Sequence, residues 1–102
     1  MTSLTRTGLV SSPRFSTGKL VVTHRIDELV RQGQLNPIPY LCRHLQGDWG
    51  DVSDADRRSN DLALQSGEDR LFSSYRVRDD LTLWIITEWD RSVTTVLLPS
   101  DY

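Results

Sequence analysis

The last third of the sequence contains three β-type segments that lie only a few residues apart. Residues 71–77 divide into two alternating sets, with Leu71, Ser73, Tyr75 and Val77 on one face and Phe72, Ser74 and Arg76 on the other. Residues 83–86 are apolar throughout, and residues 93–98 are rich in β-branched side chains. Strands joined by such short turns must run antiparallel, and a segment that is apolar on both sides suits the centre of a sheet. The pattern therefore predicts a three-stranded antiparallel meander with residues 83–86 in the middle.

The chain before this meander begins with a strand-like, β-branched segment at residues 19–23. Three helical patterns follow and end at Gly33, Gly47 and Gly67, with Thr23 as the cap of the first and Ser53 as the cap of the third. Their apolar stripes are too narrow to form a core alone, so the helices must cover a face of the sheet. We predict an α+β fold: a strand, two to three helices and then the three-stranded antiparallel meander, with the helices packed on one sheet face.

The same patterns predict the buried side of the third helix and the side chains on the open face of the sheet. On the third helix the expected apolar stripe is Ala55, Ser59, Leu62 and Ala63. The sheet face away from the helices is expected to be at least partly open, and each strand can present either of its alternating sets there. One choice of sets for the open face is Phe72, Ser74, Arg76, Trp84, Ile86 and Glu88.

A length of 102 residues corresponds to one domain. Residues 1–16 are rich in Ser, Thr and Arg and show no periodicity, so we predict a flexible N-terminal arm before an ordered domain at residues 17–102. No apolar run is long enough to cross a membrane, and Gly8-Leu9-Val10 is too short for a signal peptide. The single cysteine, Cys42, fits a reducing compartment, so we expect a cytoplasmic protein.

The charge balance limits the classes of partner. The chain has 12 Lys and Arg against 14 Asp and Glu, a net charge of -2, which argues against a generic charge-driven nucleic-acid binder. All but one of the basic residues are arginine, and a GC-rich genome accounts for most of them. Arg43, Arg76 and Arg91 stand out because they lie in the motif-bearing region and can hold anions with a planar fork. The sequence contains no Gly-rich phosphate loop and no metal-ligand cluster.

His44 is the more suggestive of the two histidines. Asp48 follows it by four positions, so the two side chains can meet on one helical face, where a carboxylate raises the basicity of an imidazole. The alternative is a histidine that interacts with the dipole at the end of its helix. Trp49 lies between Gly47 and Gly50; it either packs between the helices and the sheet or forms a platform for a base.

An acid, a base and cations recur around the predicted sheet. Metal-independent RNA cleavage needs this set: one group takes the 2′-hydroxyl proton, another protonates the leaving oxygen, and arginine stabilises the phosphorane. A salt-bridged hairpin without catalytic activity explains the same residues. The candidate catalytic residues are His44, Arg76, Glu88 and Thr94, and the candidate binding residues are Arg43, Asp48, Trp49 and Arg91, with no metal and no cofactor expected.

A longer pattern runs through most of the chain. It comprises Tyr40-Leu41-x-Arg43-His44-x-x-Gly47-Asp48-Trp49-Gly50-Asp51, then Asn60, Ala63-Leu64 and Ser73-x-Tyr75, then Leu83-Trp84-Ile85-Ile86-Thr87-Glu88-x-Asp90-Arg91-Ser92-x-Thr94-Thr95-x-Leu97-Leu98-Pro99. With it, residues 18–102 resemble a family of short bacterial proteins found on plasmids and other mobile elements. They are labelled "plasmid related protein" and often mislabelled "type I restriction endonuclease subunit M". The resemblance implies a cytoplasmic protein of mobile-element origin and brings no activity with it.

The predicted topology is more distantly similar to the barnase–EndoU–colicin–RelE group of small metal-independent RNases and toxins. That resemblance gives His44 the role of the helix histidine and Thr94 or Thr95 that of the last-strand hydroxyl, with Arg76 and Glu88 on the sheet. The acidic balance departs from those basic RNases. Two functions stay open. One is an RNase-like or toxin-like mobile-element protein that acts on RNA. The other is a non-enzymatic interaction module with a protein partner, such as a counter-defence inhibitor (anti-CRISPR or antirestriction) or an accessory regulator.

Overall fold

The computed structural model describes residues 13–102 and has the α+β architecture that the sequence predicts. Residues 1–12, most of the predicted arm, lie outside the described residues. A strand is followed by helices, further strands and a short 3₁₀ turn. In chain order the elements are β1 (Lys19–Val22), α1 (His24–Arg31), α2 (Ile38–Leu45), α3 (Asp54–Ser66), β2 (Leu71–Arg78), β3 (Leu81–Thr87), β4 (Val93–Leu97) and the 3₁₀ turn Pro99–Asp101.

The strands form one mixed sheet in the order β1-β4-β3-β2. β2, β3 and β4 make the predicted antiparallel meander, with only Asp79 and Asp80 between β2 and β3. β1 lies beside β4 and runs parallel to it, with Lys19 opposite Val93. Local sequence patterns do not reveal this pairing, because its two strands lie at opposite ends of the domain.

α1 and α2 cover one face of the sheet, as predicted, while α3 lies at the outer edge of β2; the main core lies beneath α1 and α2. Ile26 of α1 is fully buried in this core, which also contains Tyr75 of β2, Leu83 and Ile85 of β3 and Val96 of β4. We call this side of the sheet the covered face and the other side the open face. From the strand register, the covered face carries Leu71, Ser73, Tyr75, Leu83, Ile85, Thr87, Thr94 and Val96, and the open face carries Phe72, Ser74, Arg76, Trp84, Ile86, Thr95 and Leu97.

The ends of the helices follow the predicted capping residues. The Ser53 hydroxyl accepts a hydrogen bond from the backbone N–H of Asp56 at 3.1 Å and begins α3. Thr23 begins α1 in the same way, through the backbone N–H of Ile26 at 3.4 Å. Gly67 ends α3 with a φ of 73°, a left-handed conformation that glycine adopts at little cost.

The buried side of α3 differs from the predicted stripe of Ala55, Ser59, Leu62 and Ala63. Ala63 and Asn60 are buried, whereas Leu62 is 63% exposed. Asn60 is buried because its side-chain amide bonds to the backbone of β2. The Asn60 side chain donates to the carbonyl oxygen of Phe72 at 2.6 Å and accepts from its N–H at 3.1 Å. The helix therefore turns a polar residue toward the outer edge of β2.

The loop after α2 closes the rest of that edge. The N–H of Ser74 donates to the carbonyl of Trp49 at 3.1 Å, and the N–H of Asp51 donates to the carbonyl of Ser74 at 2.6 Å. Gly50 between them has a φ of 77°, and a Cβ there would collide with the Ser74 carbonyl and the Tyr75 ring. Only glycine allows this close approach, and an exposed strand edge is thereby protected from pairing with other chains.

The last residues of the predicted arm pack on the domain. The N–H of Arg14 donates to the carbonyl of Leu45 at 2.9 Å. The Phe15 ring meets His44 edge-on at 5.3 Å between centroids and stacks on Trp49 at 6.4 Å. Ordered packing therefore begins before residue 17, where the sequence places the start of the domain.

Candidate functional site

His44, near the end of α2, is fully buried against the covered face. Its Nδ1 lies 2.5 Å from the Ser73 hydroxyl on β2, and its Nε2 lies 2.9 Å from the Thr87 hydroxyl on β3. The Thr87 hydroxyl is 2.8 Å from that of Thr94 on β4, which donates to the carbonyl of Thr17 at 2.8 Å. We call this continuous set of hydrogen bonds the His44 chain. It links a helix, three strands and the N-terminal segment.

The directions of the hydrogen bonds from Thr94 back to Nε2 of His44 follow from the last member of the chain, because each hydroxyl has only one proton. Thr94 donates to a carbonyl oxygen, so the Thr87 hydroxyl must donate to Thr94. Thr87 can then only accept from the Nε2–H of His44. A neutral His44 then has an unprotonated Nδ1 that accepts from the Ser73 hydroxyl, and both ring nitrogens are engaged.

The electrostatics of the site agree with a neutral His44. Burial, and to a lesser degree the positive charge of Arg91, lowers the pKa of His44 from 6.5 to about 3. A buried imidazole loses hydration in its charged form, and the neutral form is favoured. A general base must reach the proton that it removes, and in this arrangement His44 has no free nitrogen lone pair to offer.

Asp48 pairs with Arg43, and the predicted pair of His44 with Asp48 does not form. The Nε of Arg43 lies 2.7 Å from Oδ2 of Asp48, and its Nη2 lies 3.3 Å from Oδ1. This hydrogen bond lowers the pKa of Asp48 and raises that of Arg43. The helical spacing fails because α2 ends at Leu45 and Gly47 then takes a φ of 82°, so residue 48 is no longer on the helix.

Trp49 packs between the helices and the sheet, which is one of the two roles that the sequence leaves open. It is 1% exposed, and its indole Nε1 donates to Asp61 of α3 at 2.9 Å. Beside it, the Tyr75 hydroxyl donates to the carbonyl of Asp48 at 2.7 Å, and burial raises the pKa of Tyr75. The Arg43 guanidinium lies 4.7 Å from the centre of the Tyr75 ring. The loop is thus joined to α3 and to β2.

Arg91 joins the β3–β4 hairpin to the end of α3. Its φ of 60° is unusual for a residue with a side chain. Its Nη1 donates to the carbonyl of Asp69 at 2.6 Å and to that of Trp89 at 3.1 Å, and its Nη2 donates to the carbonyl of Ala63 at 2.9 Å. The guanidinium also lies 6.0 Å from the centre of the Phe15 ring. These contacts hold both terminal nitrogens of the guanidinium against backbone carbonyls.

The structure brings together two of the four candidate catalytic residues. Thr94 is joined to His44 through the threonine of β3. Arg76 lies on the open face, on the other side of the sheet from His44, and its Nη2 donates to Asp79 at 2.8 Å. Glu88 follows β3 and is exposed.

A groove lies on the open face, between the sheet and α3. Its volume is about 370 Å³. Phe72 and Trp84 meet edge to face in it, with centroids 5.1 Å apart, and Trp84 meets Tyr102 in the same way at 5.8 Å. Ile86 of β3 also lines it. We call this cavity the open-face groove.

Charged side chains also line the open-face groove. Asp56 comes from the first turn of α3, and Asp69 and Arg70 come from the loop between α3 and β2. The Arg70 guanidinium donates to the Tyr102 hydroxyl at 3.3 Å. Within residues 13–102, no ion pair or hydrogen bond engages the Asp56 carboxylate. Two carboxylates and one guanidinium give the lining a net negative charge.

Sequence reasoning missed Ser73 and Thr87, the direct partners of His44. A signal for Ser73 was present, because the alternation of residues 71–77 places it beside Leu71 and Tyr75 on one face. A hydroxyl among buried apolar residues needs a partner. For the groove, the expected open set of Phe72, Trp84 and Ile86 is correct, but nothing in the local pattern brings Asp56 or Tyr102 to it.

Neither a metal centre nor a membrane span is found in the part of the chain that the structure describes. Among residues 13–102, no group of three or more His, Cys, Asp and Glu side chains is placed to hold a metal ion. No helix of the same residues is long and apolar enough to cross a membrane.

Comparison with known protein families, with curated proteins and with solved structures found no match. The functional argument therefore depends on the contacts of these residues. Two places carry it: the His44 chain on the covered face and the open-face groove.

Proposed function

We propose that the chain is a non-enzymatic protein-binding module that docks its partner on the open face of the sheet. One observation supports this most. The groups capable of acid–base chemistry on the covered face are hydrogen-bonded to one another. The open-face groove instead combines aromatic rings with the Asp56 carboxylate, which no hydrogen bond or ion pair within residues 13–102 engages. A groove of that composition is a preformed contact surface.

The aromatic residues of the groove have the character of binding hot spots. Tryptophan and tyrosine are over-represented among the residues that dominate binding energies. Trp84 and Phe72 lie on neighbouring strands. Tyr102, which follows the 3₁₀ turn and is 74% exposed, contacts the Trp84 ring. Because the sheet holds two of the rings in place, little conformational entropy is lost when a partner binds.

RNA cleavage by the predicted set is less well supported. For His44 to act, it would have to give up its hydrogen bonds to Ser73 and Thr87 within the core, and a buried polar group that loses its hydrogen bond costs about 1–3 kcal/mol. Arg76 would act from the opposite side of the sheet. Asp56 and Asp69 would also repel phosphates near the aromatic rings of the groove.

The class of partner comes from the resemblance of the chain to short proteins of bacterial mobile elements. Such a protein meets the cytoplasmic proteins of its host. We propose a component of a host defence system as the partner, so that the module is a counter-defence inhibitor; an accessory regulator of the element is the other role of this type.

Quantitative capture from a bacterial lysate that contains defence systems tests the protein-binding function. The wild type is compared with Trp84→Thr, which removes the central ring of the groove, and with Val30→Thr, which changes an exposed apolar residue of α1. We expect a specific partner that Val30→Thr retains and Trp84→Thr loses. If every captured protein binds both variants equally, the open face is not the docking surface.

A nuclease assay on the purified protein tests the enzymatic alternative. We expect no cleavage of single-stranded RNA above the buffer control. Glu88→Gln is the informative variant, because Glu88 is exposed and its replacement leaves the fold intact. RNA cleavage that Glu88→Gln abolishes would contradict the proposed function.

A further inference from the structure

We propose that the open-face groove receives an arginine side chain of the partner, an assignment that rests on the protein-binding function proposed above. The groove has a volume of about 370 Å³. Ligand pockets span ~300–1,000 Å³, so this one suits a single long side chain. Its acidic and aromatic lining is the chemistry that recognises a guanidinium.

The carboxylates of the groove supply the charge complement. Asp56 has no partner among residues 13–102. Asp69 accepts the N–H of Arg70 with Oδ1 at 2.8 Å, which orients the carboxylate and leaves Oδ2 for a ligand. A guanidinium presents its donors in a fixed fork that matches carboxylate oxygens. Both aspartates therefore offer acceptors that the described residues do not fill.

The aromatic rings supply the second part of the recognition. A guanidinium is planar and weakly hydrated, so it stacks on aromatic faces, and tryptophan is the strongest partner for a cation. Trp84, Phe72 and Tyr102 provide three rings within one cavity. An ammonium group is more strongly hydrated and lacks the flat surface, so we expect lysine to bind less well than arginine.

Arg70 determines the net charge of the groove lining and therefore the charge of a ligand that neutralises it. It lines the groove, and its donation to the Tyr102 hydroxyl at 3.3 Å holds it in place. Its positive charge offsets one of the two carboxylates, so the lining is neutralised by one added cation. Phosphates of a nucleic acid would increase the negative charge at Asp56 and Asp69 instead.

A titration followed by nuclear magnetic resonance tests the assignment on the full chain. The probes are a short capped peptide with one arginine and the same peptide with citrulline, which keeps the shape and lacks the charge. The readout is the indole N–H of Trp84, and the buried indole of Trp49, bonded to Asp61, is the internal reference. We expect a saturable shift of the Trp84 signal with the arginine peptide, a weaker response to a lysine peptide and none to citrulline.

Two neighbouring aspartates provide matched variants. Asp54 and Asp56 both lie in the first turn of α3, and only Asp56 lines the groove. We expect Asp56→Asn to weaken binding of the arginine peptide by about fivefold, as for loss of a partly exposed ion pair, and Asp54→Asn to leave it unchanged. An equal response to citrulline, equal effects of the two substitutions, or a Trp84 shift with an RNA oligonucleotide and not with the peptide would overturn the assignment.

The arginine assignment and the protein-binding function can be tested separately. Capture of a partner that Trp84→Thr loses and Asp56→Asn keeps would leave protein binding intact and overturn the arginine assignment. Loss of capture in both variants, with Asp54→Asn unaffected, supports the two together.

Discussion

The two faces of the sheet use polar residues in opposite ways. On the covered face, His44, Ser73, Thr87 and Thr94 form one chain of hydrogen bonds in which every donor has an acceptor. On the open face, aromatic rings and carboxylates line a groove, and the Asp56 carboxylate is unengaged in the described part of the chain. His44 and Thr94, which suggest catalysis in the sequence, are thus part of the buried hydrogen bonding that joins the covered face, and the surface that we propose for a partner lies on the other side of the sheet.

The largest expected effect is on the covered face. His44→Ala removes the imidazole that bonds the Ser73 and Thr87 hydroxyls and opens a cavity, so we expect the free energy of unfolding to fall by about 4 kcal/mol. Urea unfolding measures it. The exposed His24 provides the control, with a change within about 0.5 kcal/mol for His24→Ala. A loss below about 1 kcal/mol for His44→Ala would contradict a structural role of the chain.

Gly50 tests the contact between the loop after α2 and the edge of β2. Gly50→Ala introduces a Cβ that meets the Ser74 carbonyl at a positive φ, so we expect a loss of about 3 kcal/mol. Gly33 has a φ of 72° and no neighbouring atom within 4 Å, so Gly33→Ala shows the cost of the backbone conformation alone, about 1 kcal/mol. Equal losses in thermal or urea unfolding would mean that the close approach is not important.

The pH dependence of stability tests the neutral state of His44. The unfolded chain, with a histidine pKa of 6.5, takes up a proton that the folded chain takes up only near pH 3. Because the unfolded state binds more protons in this window, the His44 contribution is fully present above pH 6.5 and is lost as the pH falls toward about 3. We expect a slope of up to about 1.4 kcal/mol per pH unit.

Measurements of unfolding from pH 7 to about pH 4.5 separate this effect from the titration of most carboxylates. His44→Gln should abolish the slope, and His24→Gln should retain it. A slope that is unchanged in His44→Gln would assign the acid sensitivity to other groups.

The smallest expected effect on stability is on the open face. We expect Asp56→Asn to change the free energy of unfolding by less than about 0.5 kcal/mol, because the carboxylate is exposed and makes no hydrogen bond or ion pair within residues 13–102. Asp48→Asn is the comparison. Its carboxylate pairs with Arg43, and its loss should cost about 1 kcal/mol after allowance for solvent screening. If Asp56→Asn were the more destabilising of the two in urea unfolding, Asp56 would belong to the fold and not to a binding surface.

Much of the fold follows from local sequence patterns. The short connections of residues 71–98 predict the meander, and Thr23, Ser53 and Gly67 mark the ends of two helices as the structure has them. The parallel pairing of β1 with β4 does not follow, because it depends on how the helices carry the chain back to the sheet. The burial of Asn60 does not follow either, since its partner is the backbone of a strand that comes later.

The sites were less predictable than the fold. The sequence singles out His44, and the structure shows that it makes two buried hydrogen bonds. Helical spacing suggested Asp48 as its partner, whereas the actual partners are hydroxyls on two strands. Helical spacing applies only while the helix lasts, and α2 ends at Leu45. The apolar members of the groove are visible in the alternation of β2 and β3, but its acidic and C-terminal members come from elements whose packing no local pattern specifies.

The most direct test of the central claim compares the two faces by binding to the captured partner. The dissociation constant is measured for Trp84→Thr and for His44→Gln under conditions where circular dichroism shows both variants to be folded. We expect Trp84→Thr to raise it by about tenfold or more, as for a hot-spot residue, and His44→Gln to leave it within about twofold. Binding that His44→Gln abolishes and Trp84→Thr retains would contradict the assignment of function to the open face.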